Sequence, residues 1–268
     1  MGDLRLSLEH MTVLGMRPAE IVAAAEQLDV PLISLILDSG PYALDIASFL
    51  ASPALTGEIA ARLAESPVRL HATEGFLLDG HGDFDRLRRL IDISAALGAE
   101  RCVAMIIDRD AGRRTEHFAR LCELARPHHL QVSLEFVATT PVAALGDALA
   151  VIKAAAMDNA AISVDILHLT RSGGSPEDLR VPGLPFGAAQ LCDGAADLPR
   201  DRWDHEGLAG RLVPGDGDFP IPAFLAALPP GVTVGLETPM GLPRDFALLL
   251  VAARRSVAAA RRSSDRLR

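Results

Sequence analysis

Residues 131–166 read QVSLEFVATTPVAALGDALAVIKAAAMDNAAISVDI and hold two short apolar runs on either side of a longer run rich in Ala and Leu. The short runs, Gln131–Val137 and Ala161–Ile166, are typical of β-strands, and the central run, Val142–Ala156, is typical of a helix. Val, Ile, Leu and Phe dominate both short runs, which favours strands that are covered on both faces. The stretch therefore predicts a strand–helix–strand unit of a parallel sheet.

The same alternation extends in both directions along the chain. It predicts further strands at Leu4–Val13, Leu32–Leu37, Val68–Thr73, Arg101–Ile107, Ala188–Cys192 and Thr233–Glu237. It predicts further helices at Pro18–Leu28, Ala54–Ala64, Phe84–Leu97, Arg113–Ala125, Ile221–Leu228 and Arg244–Arg262. Eight strands and seven helices in 268 residues predict an α/β fold of the (β/α)8 TIM barrel type. We expect one domain over residues 1–268, with a helix end and tail from about residue 257.

Two loop-rich segments and one alternative architecture complete the fold prediction. Residues 171–187 are expected to form a short helix and a loop over the barrel mouth, and residues 194–220 to form a loop. An open doubly wound sheet is the alternative, but that fold more often has a glycine-rich loop after its first strand. Residues 12–18, which follow the first predicted strand, lack that pattern.

Composition excludes several classes of protein. Hydrophobic residues make up 49% of the chain and charged residues 23%, which suits a large core. The net charge of −9 argues against nucleic-acid and anionic-membrane partners. The three cysteines, Cys102, Cys122 and Cys192, are too few and too widely spaced for a disulfide framework or a paired-cysteine zinc site. With neither a signal segment nor an apolar stretch of ~20 residues, we expect a cytoplasmic protein.

Four polar residues stand at the ends of the last four predicted strands: Glu135, Asp165, Gln190 and Glu237. In a (β/α)8 barrel the carboxyl ends of the strands face the active site, so these side chains are expected to meet. Three carboxylates around one point repel each other unless a divalent cation lies between them. The pattern therefore predicts one Mn²⁺, Mg²⁺, Co²⁺ or Zn²⁺ ion. For any single residue, capping of the following helix or loop is an equally good interpretation.

Three further residues are candidates for substrate binding. His168 follows Asp165 by three residues, so it would begin the next loop, lean over the site and act as a hydrogen-bond donor or acid/base group. Arg211 precedes the turn at residues 214–217 and could hold a substrate carboxylate, phosphate or hydroxyl, or form a solvated salt bridge. His71, on the third strand, would either touch substrate or be an interior histidine. Four phenylalanines are candidates for an apolar wall that would suit a substrate less polar than a free sugar: Phe76, Phe136, Phe186 and Phe219.

At these residues the chain resembles the xylose isomerase-like TIM barrel superfamily. That group includes sugar and sugar-phosphate isomerases and epimerases, hydroxypyruvate isomerases, inosose and 3-dehydroshikimate dehydratases, and endonuclease IV. The family pattern is a strand-end Glu, Asp-x-x-His, His or Gln, Arg before Pro-Gly-Glu-Gly, and a final strand-end Glu. Here these elements are Glu135, Asp165 with His168, Gln190, Arg211 before Pro-Gly-Asp-Gly, and Glu237. Gln190 in place of His resembles the hydroxypyruvate isomerase and dehydroshikimate dehydratase branches, and the extra zinc-binding histidines of endonuclease IV are not matched.

The resemblance implies a metal-dependent isomerase or epimerase of a ketose, sugar phosphate or ketoacid that works through an enediolate. Glu135 and Glu237 would serve both as metal ligands and as acid/base groups, while His168 and Arg211 hold substrate oxygens. A metal-dependent dehydratase of the 3-dehydroshikimate or inosose type is the alternative, with His168 as the acid. A non-catalytic barrel that binds a ligand is a third hypothesis. The Ala/Leu-rich helices would also allow a homo-oligomer.

Overall fold

A computed structural model describes residues 4–42, 44, 46–243 and 245–265. In this part of the chain eight strands form one closed barrel in sequence order, and every neighbouring pair is parallel. The strands are β1 (Arg5–Leu8), β2 (Leu32–Ile36), β3 (Arg69–Leu78), β4 (Arg101–Ile106), β5 (Gln131–Glu135), β6 (Ala160–Asp165), β7 (Phe186–Leu191) and β8 (Thr233–Leu236). The predicted single-domain TIM barrel is therefore confirmed as a fold.

Helices follow the strands and cover the outside of the barrel. In the described residues they are α1 (Pro18–Gln27), α2 (Pro53–Ala64), α3 (Phe84–Ala96), α4 (Ala111–Ala125), α5 (Leu145–Ala155), α6 (Ile166–Arg171), α7 (Trp203–Ala209), α8 (Ile221–Ala227) and α9 (Phe246–Asp265). Local chemistry sets several starts: Asp83 and Asp110 accept the backbone N–H groups that open α3 and α4, and Pro18 begins α1. None of the described helices is both long enough and apolar enough to span a membrane.

The structure corrects the ends of two predicted strands and adds two helices. The first strand ends at Leu8, and a 3₁₀ turn occupies His10–Val13, where the strand was expected to continue. The third strand runs on to Leu78, five residues past the predicted end. Helices α6 and α7 lie in segments that were expected to be mostly loop. The last helix was predicted to begin at Arg244, and the predicted tail includes residues 266–268. These positions lie outside the described residues.

Candidate metal and active site

Strand register brings the predicted polar residues to one end of the barrel interior. Asp165 of β6 pairs with Gln190 of β7, and Gln190 pairs with Gly235 of β8. Glu135 of β5 pairs with the residue two before Asp165, and Glu237 lies two residues beyond Gly235. Because side chains alternate along a strand, all four polar residues share the inner face. Asp165, Gln190 and Glu237 are buried, and Glu135 is half-buried.

Asp165 both caps a helix and joins an ion pair. Its Oδ1 accepts the backbone N–H of Leu167 at 2.8 Å, which opens α6. Its Oδ2 accepts a hydrogen bond from Nη1 of Arg211 at 2.5 Å. Capping of a helix and a role in the site are therefore compatible for Asp165, because its two carboxylate oxygens have separate partners.

Arg211 links two of the predicted metal ligands. Its side chain is 4% exposed, and Nη1 lies 2.9 Å from Oε2 of Glu237 as well as beside Asp165. Burial acts to lower the pKa of Arg211, but Asp165 and Glu237 outweigh it and hold that pKa well above its usual range. Gln190 adds a further contact, because its Nε2 donates to Oε1 of Glu237 at 3.1 Å. The arginine is thus a permanent buried cation between two carboxylates.

The turn after Arg211 is held by one buried aspartate, Asp193, which sequence reasoning did not single out. Its carboxylate accepts four backbone N–H groups at 2.8–3.0 Å, from Gly194, Gly215, Gly217 and Phe219. Its backbone also bridges to Leu212, the neighbour of Arg211. Asp193 therefore positions the segment that carries Arg211 into the site.

His168 lies within helix α6, where a loop was expected, and it reaches the site from there. Its Nε2 is 3.8 Å from Oε1 of Glu135, and its buried Nδ1 has no hydrogen-bond partner among the described residues. Burial lowers the pKa of His168 to about 4, although Asp165 acts to raise it. The imidazole is therefore neutral near pH 7, which is the form that binds a metal.

Three side chains are arranged as a metal site would require. Glu135, Asp165 and His168 each offer one ligand atom, and these atoms lie within 4.8 Å of one another. Two oxygens and one imidazole nitrogen suit Zn²⁺, Mn²⁺ or Co²⁺. Burial, followed by the charges of Asp165 and Glu74, raises the pKa of Glu135 to about 8, and a cation beside this group would oppose that shift. These residues can therefore hold a divalent metal.

The sequence-predicted ligand set overlaps this group in part. Glu135 and Asp165 belong to both sets. Gln190 and Glu237 lie in the same layer of the barrel but are hydrogen bonded to each other, and Glu237 also pairs with Arg211. Burial raises the pKa of Glu237 well above its usual range, Arg211 opposes this effect, and Asp165 and Glu135 add to it.

Glu74 is a site residue that the strand prediction missed. The register between β3 and β4 shifts after Thr73, where Gly75 takes a φ of +103° and a Cβ at that position would lie 2.5 Å from the carbonyl oxygen of Asp38. This bulge re-aims the strand and leaves Glu74 lining the cavity. The hydroxyl of Ser34 donates to Glu74 at 2.8 Å. Burial and the neighbouring Glu9 raise the pKa of Glu74 to about 7.

Glu9 is the second missed carboxyl group. It follows β1 directly, is 3% exposed and lies close enough to Glu74 to raise the pKa of that carboxyl group. A Cβ at Gly235 would lie 2.4 Å from Oε1 of Glu9, so only glycine leaves room for this side chain beside β8. The sequence does carry a signal for both missed residues, namely Gly75 beside Glu74 and Gly235 opposite Glu9. An isolated glycine in a strand marks a bulge or a close approach of another side chain.

The structure does not bring His71 or most of the candidate phenylalanines into the site. His71 is the third residue of β3, and its Nδ1 lies 2.9 Å from Oε2 of Glu100, away from the residues that line the cavity. Of the four candidate phenylalanines, only Phe76 lines the cavity.

A cavity of about 230 Å³ opens above these groups. Glu74, Glu135, His168, Arg211 and Glu237 line it, together with a larger number of apolar side chains. Helix α7 closes one side through Trp203, Gly207 and Leu208. The cavity can bind a small molecule next to a group of ionisable side chains.

Comparison with known proteins agrees with this fold. Residues 22–249 match the model of the xylose isomerase-like TIM barrel family, and the chain belongs to that family. No curated protein matches it.

Solved structures share the fold at low identity. One is an IolI protein with a bound zinc atom, at 16% identity and a TM-score of 0.75, covering 98% of this chain and 97% of that chain. An L-ribulose 3-epimerase has 14% identity, a TM-score of 0.74, and coverage of 99% and 97%. A probable 3-DHS dehydratase, AsbF, from Bacillus anthracis has 15% identity, a TM-score of 0.73, and coverage of 94% and 98%.

Proposed function

We propose that this barrel is a divalent-metal-dependent isomerase or epimerase of a small hydroxy-carbonyl compound. The observation that carries the proposal is the convergence of Glu135, Asp165 and His168, with ligand atoms within 4.8 Å of one another, where Glu135 and His168 line the cavity and Asp165 is buried beside them. The zinc atom of the similar IolI structure supports the same chemistry. A divalent cation held by these residues would polarise a substrate carbonyl and stabilise negative charge on its oxygens.

The chain's own residues supply the proton transfers. Glu135 and Glu237 both line the cavity, one on β5 and the other directly after β8, so their carboxyl groups approach a ligand from different sides. One carboxylate removes the proton from the carbon next to the carbonyl, which gives an enediolate, and the other carboxyl group returns a proton. Arg211 is fixed by Asp165 and Glu237 and lines the cavity, so its guanidinium group is placed to donate a hydrogen bond to a substrate oxygen.

A metal-dependent dehydratase is the second candidate, and Glu74 is the observation that favours it. Elimination of a hydroxyl group needs an acid near pH 7. His168 is poorly suited, since its pKa is lowered to about 4. Glu74 lines the cavity and its pKa is raised to about 7, so it carries a proton that a leaving hydroxyl group could take. Both candidates begin with the same proton removal, and they differ in whether a proton returns to carbon or a hydroxyl group leaves.

Metal content and proton exchange test the proposal together. We expect about one divalent ion per chain by elemental mass spectrometry, lost in Glu135→Gln and kept in Glu116→Gln, which changes an exposed glutamate. The metal-loaded protein should exchange the α-proton of at least one α-hydroxyketone from a panel into D₂O. New ultraviolet absorbance from a conjugated enone would identify the dehydratase. No stoichiometric metal together with no exchange would refute the proposal and favour a non-catalytic barrel.

A further inference from the structure

The wall of the cavity is mainly hydrocarbon. Carboxylates and Arg211 lie at its floor, and elsewhere apolar surface outweighs the polar groups that side chains such as Ser39 and Thr139 contribute. The members that define this apolar wall are Ile36, Tyr42, Phe76, Met105, Val137 and Leu208. A sugar with a hydroxyl group on every carbon would leave several of them against hydrocarbon, without the partners they have in water. An apolar substituent in the same place would be removed from water and stabilised.

The two arginines that line the cavity are already engaged by carboxylates. Arg171 donates from Nε and Nη2 to the two oxygens of Glu206 at 2.7 and 2.6 Å, and this pair is buried. Arg211 lies between Asp165 and Glu237. Each arginine therefore has its positive charge balanced within the protein before any ligand arrives.

The remaining ionisable groups of the cavity make it acidic. Glu74, Glu135 and Asp204 line it as well. Asp38, also in the lining, is paired with Arg86. Among the described lining residues there is thus no uncommitted arginine or lysine to face the two charges of a phosphate, so a phosphate would lose its hydration without gaining a paired charge.

We infer that the substrate is an uncharged hydroxy-carbonyl compound that carries an apolar substituent, and that sugar phosphates and free polyols are poor ligands. The inference rests on the proposed function, because the hydroxy-carbonyl end is assigned from the metal and acid/base groups. The polar end of the ligand lies over Glu135, His168 and Arg211. The apolar substituent lies against the wall that includes Phe76 and Met105.

A matched series of ligands tests the inference directly. Hydroxyacetone, 2-hydroxyacetophenone, dihydroxyacetone and dihydroxyacetone phosphate share one hydroxymethyl ketone and differ only in a methyl, phenyl, hydroxymethyl or phosphooxymethyl substituent. Calorimetric titrations on the metal-free and the Mn²⁺-loaded protein should both give the phenyl ligand the lowest Kd. We expect it to bind at least ~tenfold more tightly than dihydroxyacetone, with the phosphate weakest of all. The inference is overturned if dihydroxyacetone or its phosphate binds as tightly as the phenyl ligand, or if the phenyl ligand shows no saturable binding.

A change within the wall gives an independent check. Met105 is half-buried on β4 and has an unbranched side chain of nearly the length of lysine. In Met105→Lys we expect the phenyl ligand to bind ~tenfold more weakly and the phosphate more tightly than in wild type, whereas Met105→Leu keeps the wild-type order. An unchanged order in a folded Met105→Lys protein counts against the inference. Metal content of the same samples distinguishes failure of this inference from failure of the proposed function. If the proposed function is wrong, metal and proton exchange will be absent whichever ligand binds.

Discussion

Replacing Arg211 by methionine tests whether the barrel floor depends on a buried balance of charge. The substitution keeps an unbranched side chain but removes the cation from beside Asp165 and Glu237, whose carboxyl oxygens lie 2.5 and 2.9 Å from Nη1. Removing one partner of a buried ion pair typically costs 3–5 kcal/mol, because an uncompensated charge is left behind. For a chain of this size that corresponds to a fall in Tm of roughly 5–15 °C.

The loss of unfolding free energy in Arg211→Met should depend on pH in a defined direction. Arg211 opposes the raised pKa values of Glu135 and Glu237, so without it these values rise further. A carboxyl group whose folded-state pKa exceeds its unfolded value stabilises the fold at low pH, and that contribution is lost as pH rises through the folded-state pKa. For Glu135 in the wild type this interval runs from 4.5 to about 8. Within this interval both folded proteins keep Glu135 protonated and lose stability in parallel, so the deficit of the variant should stay constant there and grow as pH rises above about 8. The comparison therefore covers the pH interval from 4.5 to above 8.

Urea unfolding of the metal-free proteins across this pH interval is the assay, and Arg255→Met is the control. Arg255 forms a salt bridge of 2.9 Å with Asp216, but both side chains are about half exposed. Its loss should therefore change the free energy of unfolding by only ~0–1 kcal/mol. Equal losses in the two variants near neutral pH, or a loss in Arg211→Met that does not grow above about pH 8, would refute the reasoning.

Three other predictions concern single side chains of the site. Asp193→Asn should lower the free energy of unfolding by ~1–3 kcal/mol and reduce turnover through displacement of Arg211, as measured by urea unfolding and by deuterium exchange of substrate; full activity would contradict the positioning role. Because the folded-state pKa of Glu74 is raised, wild type should lose stability as pH rises from 4.5 to about 7, and Glu74→Gln should lack this part of the loss. An unchanged profile of stability against pH would contradict the assignment. His168→Gln should weaken Zn²⁺ binding at least ~tenfold in a chelator competition titration, and an unchanged Kd would remove His168 from the metal site.

The fold and two of the three side chains in the candidate metal site follow from local sequence patterns. Runs such as residues 131–137 and 161–166 are apolar enough to require burial on both faces, so a polar residue at the end of such a run is conspicuous. That contrast identified Glu135 and Asp165 as ligands, and both belong to the group of side chains that can hold a metal. His168 was expected in a loop, but Asp165 caps a helix at once and places His168 on its first turns.

Contacts that depend on backbone irregularity or on distant side chains were beyond the sequence patterns. Glu74 enters the site because Gly75 forms a bulge, and a regular strand ending at Thr73 would have left it in a loop. The ion pair between Arg211 and Asp165 joins residues 46 positions apart, and its geometry is set by the turn that Asp193 holds. No periodicity in the sequence encodes the direction of a long side chain across the barrel.

The distribution of charge in the barrel connects stability with function. Glu9, Glu74, Glu135 and Glu237 share the interior with one fully buried arginine, Arg211, and two of these glutamates have a pKa raised to about 7 or 8. A hydrophobic interior of the same volume would make the fold more stable, so the carboxyl groups reduce stability where they stand. A divalent cation beside Glu135 and Asp165 would offset part of that cost and lower the pKa of Glu135. The same imbalance that weakens the metal-free barrel is therefore what suits it to a divalent cation and what raises the pKa of Glu74 to about 7.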